Sequence, residues 1–373
     1  MPEVQEVFRM ATQKVHPDAG FVDRQYDHRR KHERRRKVGT FAVATAIGVA
    51  ALASILATQV ARNATTPADQ TSTAAPRPGP VPFYRQNASV VDLEGNVLRV
   101  IPGLPDDAYA LSLSQDRTRI AFVTGTRAVT NADHATTAQN TQRIATIRID
   151  GSGLQRLGPG GIYARSPAWS PDGTMIAFAG QPAAGPGPEF EIFVMDADGS
   201  DVRKLTSGPG SAQDPQWSPD GSTIVYSRFT DTGAIWTIPV GGGPPSFVTT
   251  TPAGGTPAYS PDGFEIAYSH GGEIWLVGSD GADPHPIVGG EDGGSVPRWS
   301  PDGTMLAYTT SGSGDEGYVD VGGNVYTTPL LQVNVIDLAT GEHHAVGQVA
   351  MALSNAPVWW SNDQLLIRRV VRP

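Results

Sequence analysis

The chain has no cysteine among its 373 residues, and only 17% of its residues are charged. The lack of cysteine excludes disulfide bonds, cysteine-ligated zinc and a cysteine nucleophile. No G-x-S-x-G nucleophile elbow occurs either, so no α/β-hydrolase site is indicated. Glycine and proline are plentiful instead, at 43 and 31 residues. This balance favours many short strands and turns over helical bundles.

Charge is distributed unevenly along the chain. Residues 1–37 carry 10 Lys and Arg against 6 Asp and Glu, whereas the remaining residues carry 18 against 31. Most of the early basic residues lie in "HRRKHERRRK" at residues 28–37, directly before an apolar segment. Because the body of the chain is acidic, nucleic acid is not expected as a partner.

One long apolar run without charge is present. It reads "VGTFAVATAIGVAALASILAT" at residues 38–58 and continues to residue 61. As a helix, 21 residues span roughly 31 Å, about the thickness of one hydrocarbon core. We therefore predict a single transmembrane helix at residues 38–61. A cleaved signal peptide and a buried soluble helix are the alternatives, but the 37-residue leader, and the fact that no convincing A-x-A cleavage site follows the segment, disfavour a signal peptide.

The basic residues before this segment predict its orientation. Under the positive-inside rule, the head at residues 1–37 stays in the cytoplasm and the chain beyond residue 61 lies outside. Residues 62–80, "RNATTPADQTSTAAPRPGP", lack hydrophobic periodicity and read as a flexible linker. We expect a single-pass protein of the cell membrane whose C-terminal domain, residues 81–373, is extracytoplasmic.

A decapeptide recurs in that domain. "WSPDGTMIAF" at residues 169–178 returns as "WSPDGSTIVY" at 217–226, "YSPDGFEIAY" at 259–268 and "WSPDGTMLAY" at 299–308. Pro suits the second position of a turn, Gly suits a left-handed position, and the alternating residues after them are typical of a strand. Each copy therefore predicts a β-hairpin, and a looser D-G hairpin follows several of them.

Two degenerate copies raise the number of repeats to six. They are "LSQDRTRIAFV" at residues 113–123 and "WWSNDQLLI" at residues 359–367, where Trp360 matches the aromatic residue of the repeat. The last copy lacks an outer hairpin, whereas residues 82–101 form an unpaired strand–turn–strand. We therefore predict an all-β, six-bladed β-propeller of four-stranded blades, closed by these N-terminal strands. A β-sandwich or an open solenoid is the alternative.

The repeat resembles a known family. P-x-[WY]-S-P-D-G-x-x-[IL]-[AV]-[FY], followed by a D-G hairpin, is similar to the WD-like repeat of TolB-type β-propellers over residues 81–373. The head motif "VFRMATQKVHPDAGFVDRQ" at residues 7–25 resembles the N-terminal region of actinobacterial membrane proteins with TolB-like propellers. Some of those are associated with sigma-factor regulation, which implies a cytoplasmic regulator as a partner of the head. That the head is only a topology signal is the alternative.

Candidate groups for catalysis or metal binding are few. The Ser and Asp of S-P-D-G are explained by their turn, and their repetition argues against catalysis. His343 and His344 fit a solvated turn better than a metal site. Asp315, Glu316 and Asp320 fit a polar surface loop, with a cation site as the alternative. We predict no enzymatic activity, no cofactor and no metal.

Binding is expected at the mouth of the central channel, on the loops that lead into the innermost strands. These loops supply seven polar candidates, namely Asp107, Tyr163, Arg165, Asp214, Asp292, Arg298 and Asn355. Their mixed charge suits a protein, a peptide or a polar ligand. We therefore predict an extracytoplasmic scaffold or sensor. A hydrolase or lyase with its site at the channel mouth is the alternative.

Overall fold

A computed structural model describes residues 85–125, 141–182, 189–252, 255–289, 294–319, 325–350 and 356–371. The chain divides into two compact units, Met1–Arg77 and Pro78–Pro373, and every described residue belongs to the second. The predicted head, transmembrane helix and linker lie outside the described residues. In the part that the structure describes, no helix is long and apolar enough to cross a membrane.

The described chain forms 24 strands in six antiparallel blades. The first two strands are β1 (Arg85–Asp92) and β2 (Val97–Val100). Blade 1 contains β3 (Tyr109–Leu113), β4 (Arg119–Thr124), β5 (Arg143–Arg148) and β6 (Gln155–Arg156). Blade 2 contains β7 (Ile162–Trp169), β8 (Met175–Pro182), β9 (Glu191–Asp196) and β10 (Arg203–Lys204). Blade 3 contains β11 (Ser211–Trp217), β12 (Thr223–Phe229), β13 (Gly233–Pro239) and β14 (Ser246–Thr251).

The other three blades follow the same order. Blade 4 contains β15 (Ala258–Tyr259), β16 (Glu265–His270), β17 (Glu273–Gly278) and β18 (His285–Val288). Blade 5 contains β19 (Ser295–Trp299), β20 (Met305–Val319), β21 (Val325–Asp337) and β22 (His343–Ala350). Blade 6 contains β23 (Val358–Ser361) and β24 (Gln364–Val371), followed by β1 and β2. The six-bladed, four-stranded architecture predicted from the repeats is therefore confirmed.

The N-terminal strands close the ring as predicted. β1 pairs antiparallel with β24 over eight residue pairs, from Arg85 opposite Val371 to Asp92 opposite Gln364. β2 then pairs with β1 as the outermost strand of blade 6. Six hydrophobic clusters are found among the described residues, one in each interface between neighbouring blades. The cluster between blades 6 and 1 completes the circle.

The decapeptide is explained by how its strand packs between two neighbours. In blade 2, the large residues Ile176 and Phe178 face blade 1, whereas the small residues Ala177 and Ala179 face blade 3. There Tyr226, a large residue of blade 3, packs in the same cluster as the two alanines. Because successive side chains of a strand point to opposite faces, the alternation of large and small residues fits each blade onto the next.

The S-P-D-G segment forms a tight turn whose own side chains hold it. Ser170 Oγ donates to Asp172 Oδ1 at 2.6 Å and accepts from Met175 N at 2.9 Å, while Gly173 has a φ of 70°. The same Ser–Asp bond, of 2.6 or 2.7 Å, occurs in all six copies. The hydrogen bond from Ser170 is the main cause that keeps the pKa of Asp172 below its ordinary value. The structural interpretation of this serine and aspartate is confirmed.

Inner-strand tryptophans join adjacent blades. Trp217 Nε1 donates to Ala168 O at 3.0 Å, and Trp299 Nε1 donates to Ala258 O at 3.1 Å. In blade 6 the equivalent donor is Trp359, which bonds Arg298 O at 2.9 Å. The expectation that Trp360 matches the repeat was wrong, because it is Trp359 that pairs with Leu365 of β24, and Trp360 is the extra residue of a bulge.

Part of the insert in blade 5 forms strands where a surface loop was predicted. β20 and β21 continue past the ends of their counterparts in other blades, and they pair as far as Val319 opposite Val325. Asp315 and Glu316 lie within this extension of β20, opposite Pro329 and Thr328. The predicted surface loop is therefore a strand at these two residues, and Asp320 lies outside the described residues.

A buried arginine fastens the closing blade to blade 1. Arg368, in β24, is 2% exposed and donates to the carbonyl oxygens of Pro105 at 3.2 Å, of Asp106 at 3.0 Å and of Ala108. Burial lowers the pKa of Arg368 to about 10, and the charges of Asp106 and Asp107 oppose this shift. The guanidinium thus holds the segment that leads from blade 6 into β3.

Trp217→Phe tests the contribution of the bond between blades. The unit formed by residues 78–373 should lose about 1 kcal/mol more unfolding free energy with this change than with Trp169→Phe. Both tryptophans are 8% exposed, but Trp169 Nε1 has no partner among the described residues, so it is a matched control. Urea titration of both variants gives the comparison. Equal losses would show that the indole hydrogen bond contributes nothing.

Arg368→Met tests the fastening of the ring. Three carbonyl groups lose a charged donor, so we expect the unfolding free energy to fall by about 3 kcal/mol. The control is Arg369→Met in the same strand, whose side chain makes no hydrogen bond in the described structure; it should change stability by less than about 1 kcal/mol. Similar midpoints of urea unfolding for the two variants would contradict a role of Arg368 in closure.

Candidate functional site

The innermost strands bulge toward the middle of their length. Register shifts occur in β3, β7, β11 and β19, between Arg165 and Ala168 in β7 for example. At each of these bulges a residue other than glycine has a positive φ of 51° to 56°, namely Ala110, Ser166, Asp214 and Val296. This conformation is strained for β-branched Val296, and such strain tends to concentrate at functional sites. The bulges therefore mark this part of the central channel as a candidate site.

A cavity of about 540 Å³ occupies the channel between the bulges and the S-P-D-G turns. We call the end of the propeller that carries these turns the turn face, and the opposite end the loop end. Exposed turn residues such as Pro219, Pro261 and Pro301 line the cavity, so its mouth is at the turn face. Its walls include the aromatic residues Trp169, Trp217, Tyr259, Trp299, Trp359 and Trp360. Polar side chains line it at both levels, with Asp214 and Arg298 near the bulges and Gln115 and Arg117 at the turns.

Two of the predicted residues line this cavity. Asp214 and Arg298, on blades 3 and 5, both line it. Ser166 Oγ donates to Asp214 Oδ1 at 2.8 Å, and Arg298 donates through Nη1 to Pro297 O at 2.8 Å. Burial lowers the pKa of Arg298 to about 10, while the charge of Asp214 opposes this shift. The carboxylate of Asp214 and the guanidinium of Arg298 therefore interact electrostatically, although blade 4 lies between their blades.

Three other predicted residues do not line the cavity. Asp107 accepts hydrogen bonds within blade 1, from Thr124 Oγ1 at 2.9 Å and Gly125 N at 2.7 Å. The guanidinium carbon of Arg165 lies 3.6 Å from the ring centre of Phe190. Tyr163 is a paired residue of β7. The remaining candidates, Asp292 and Asn355, lie outside the described residues.

Charged residues at the loop end are held in internal contacts. Arg228 forms a 3.3 Å ion pair with Glu191 of the preceding blade, and both side chains are largely buried. Arg228 also donates to Pro209 O at 3.0 Å. Together with Asp107 and Arg368, this pair braces the segments that lead into the inner strands. These four charged residues are therefore structural, whereas Asp214 and Arg298 line the cavity.

The arrangement shows groups for binding. The S-P-D-G serines and aspartates are bonded to one another in their turns. Within the described ranges, no three His, Asp or Glu side chains cluster in a way that could hold a metal ion. His343 was expected in a solvated turn; it is exposed, but it begins β22, and its Nδ1 lies 2.7 Å from the hydroxyl of Tyr308. The cavity combines a guanidinium, a carboxylate and aromatic walls, a set suited to hold a polar ligand.

Several lining residues escaped the sequence reasoning. Ser166 and Thr256 stand four positions before the S-P-D-G serine, as Asp214 does, and Gln216 stands two before it, as Arg298 does. A comparison of the repeats at these two fixed offsets could have found them. Arg117 also lines the cavity, at a position where the well-matched repeats have Gly. This departure from the repeat could have identified Arg117 as a candidate from the sequence.

The turn face also carries most of the exposed apolar side chains. The second and fourth strands of every blade begin at this face, because the turns between the first and second strands and between the third and fourth strands lie there. Of the six large apolar residues exposed in the described structure, five lie at such a beginning, namely Val97, Leu98, Leu154, Phe247 and Phe264. The sixth, Val100, lies at the other end of β2. These five side chains share a face with the cavity mouth but do not line the cavity, and four of them lie on or beside the outermost strands of their blades. Exposed apolar groups that gather on one face are typical of interaction surfaces.

Solved structures with a similar fold include two TolB proteins. A protein assigned as TolB from Agrobacterium tumefaciens has a TM-score of 0.60 at 17% sequence identity, and the match covers 78% of this chain and 99% of that chain. TolB from Acinetobacter baumannii has a TM-score of 0.51 at 16% identity, covering 72% of this chain and 64% of that chain. At these identities the similarity shows the fold alone.

The sequence itself carries the family assignment. None of the curated proteins matches the chain significantly. The family model PD40, described as a TolB beta propeller domain, matches residues 89–315, which is more than half of the chain. The match begins in β1 and extends into β20, so it spans the closing strand and the four well-matched repeats. The chain therefore belongs to the TolB beta-propeller family.

Proposed function

We propose that the chain is an extracytoplasmic binding module, tethered to the cell membrane by residues 38–61, whose turn face docks a partner protein. The observation that carries the proposal is the coincidence of the cavity mouth and five exposed apolar side chains on one face. Protein-binding surfaces commonly join apolar anchors to a few well-placed polar groups. Membership of the TolB family supports a protein as the partner.

The proposed orientation follows from charge and hydrophobicity. The basic run at residues 28–37 precedes the apolar segment, which favours a cytoplasmic head and an extracytoplasmic propeller. The head is too short to bury a core of its own. Its resemblance to the head region of actinobacterial membrane proteins supports a cytoplasmic regulator as a second partner, with sigma-factor regulation as the process concerned.

Site-specific crosslinking tests the docking face. A photoreactive residue in place of Phe264 on the turn face should capture a protein in intact cells, whereas one in place of Asp231, in a turn at the loop end, should not. Phe247→Ser should lower the yield at position 264 several-fold, because it removes an apolar contact of the same face. The matched control is Val100→Ser, which removes an equally exposed apolar side chain at the loop end.

Two results would contradict this function. The first is equal capture at positions 264 and 231, which would show no preference for the turn face. The second is turnover of a glycan or peptide by the purified chain that disappears with Asp214→Asn, which would indicate an enzyme acting in the channel.

The absence of cysteine makes orientation directly measurable. Thr230→Cys, exposed in the propeller, should react with a membrane-impermeant maleimide in intact spheroplasts. Gln25→Cys, in the head, should react only after the membrane is opened, because the basic run keeps it inside. The unsubstituted chain is the blank. Labelling of both positions before lysis would refute the proposed single-pass topology.

A further inference from the structure

Arg298 is held in place but only partly satisfied. Its carbonyl oxygen accepts the indole N–H of Trp359 at 2.9 Å, and its Nη1 donates to Pro297 O at 2.8 Å. These bonds fix the backbone and one edge of the guanidinium. Among the described residues no carboxylate lies within ion-pair distance of it. A guanidinium has five N–H donors, so most of its capacity is available to a ligand.

Asp214 offers the complementary function. Its Oδ1 accepts from Ser166, whereas its Oδ2 accepts no hydrogen bond from the described residues. An ionised carboxylate is an acceptor only, so the group that meets Oδ2 must be an N–H or O–H donor. The cavity thus presents a donor site on blade 5 and an acceptor site on blade 3, with small residues of blade 4, including Ala258, lining the wall between them.

The charge of the cavity selects the sign of the ligand. Of the lining residues that the structure describes, three are charged, Arg117, Asp214 and Arg298, and together they carry one positive charge in excess. The rest of the domain is acidic and repels anions. The excess positive charge therefore makes the channel a more favourable place for an anion than the rest of the domain. A phosphate dianion on Arg298 would be repelled by Asp214 nearby. A carboxylate with an adjacent N–H group suits both partners, because it places one negative charge on the arginine and a donor on the aspartate.

We propose that the cavity binds an α-carboxylate together with its neighbouring N–H group, the carboxylate on Arg298 and the N–H on Asp214. This inference rests on the proposed function and names the group that enters the channel. Two sources share that chemistry, the C-terminal residue of a peptide and a free amino acid. A cavity of about 540 Å³ is within the size range of ligand pockets, and its aromatic walls suit the side chain of the bound residue.

Binding to the full chain in lipid nanodiscs tests the proposal. The probes are a pool of N-acetyl tripeptides with free carboxylates, the same pool as C-terminal amides, and a pool of the free amino acids. Ligand-observed NMR should show binding of the free-acid tripeptides, of the amino acids or of both. The amide pool should bind at least tenfold more weakly. Which free-acid pool binds identifies the source of the carboxylate.

Substitutions locate the contacts. Arg298→Gln should weaken binding of the free acids at least tenfold, Arg298→Lys should retain part of it, and Asp214→Asn should weaken it several-fold. Arg99→Gln, which changes an exposed arginine of β2 away from the cavity, is the control and should leave binding unchanged. The comparison of acids with amides needs only the unsubstituted chain, so it holds even if a variant folds poorly.

The outcomes separate this inference from the docking function. Equal binding of acids and amides, no binding by either free-acid pool, or unchanged affinity in Arg298→Gln would overturn the carboxylate site. If crosslinking at position 264 persists in that case, the docking function stands and this inference alone fails. If the free acids bind as expected while position 264 captures nothing, the cavity is a ligand site and the proposed protein docking fails.

Discussion

The structure depends on the requirement that every blade bury both of its faces against a neighbour. A linear row of such sheets would leave two large apolar faces in water, so the fold is stable only as a closed ring. Closure rests on the interface where Ala88, Val90 and Leu366 of blade 6 pack with Ile120 and Phe122 of blade 1. The strand that completes blade 6 comes from the N-terminal end of the domain, which makes closure a contact between distant parts of the chain.

Most of the architecture could be predicted because the residue pattern of the repeat reflects how each blade packs. Turn residues mark the hairpins, and alternating large and small residues mark strands with two different neighbours. Prediction failed where the repeat degenerates. In "WWSND" two tryptophans compete for one position, and only the pairing with Leu365 decides for Trp359. Likewise, Asp315 and Glu316 have the composition of a loop, but their pairing with β21 is a long-range contact that local sequence does not report.

The site was harder to predict because a charge in a loop has two possible uses. Arg165 could have faced the channel, but its guanidinium lies over Phe190 of the same blade. Asp107 could have faced a ligand, but it accepts hydrogen bonds from Thr124 and Gly125 at the end of β4. Sequence alone does not tell a fastening charge from a binding charge. Asp214 and Arg298 were chosen for their charge, while their common position beside the inner-strand bulges is visible only in three dimensions.

In a repeat protein, functional positions can be recognised where equivalent residues of the repeats differ. Equivalent positions of the six blades face equivalent surroundings, so packing alone would favour similar residues at each. The turn serines and aspartates follow this rule, but the bulge position does not, since it carries Ala110, Ser166, Asp214 and Val296 in a conformation that all four share. Because φ is nearly the same at all four positions, the backbone conformation does not account for the differences between their side chains. Opposite charges on blades 3 and 5 make the channel wall electrostatically asymmetric, and an asymmetric wall favours one orientation of a dipolar ligand over the reverse.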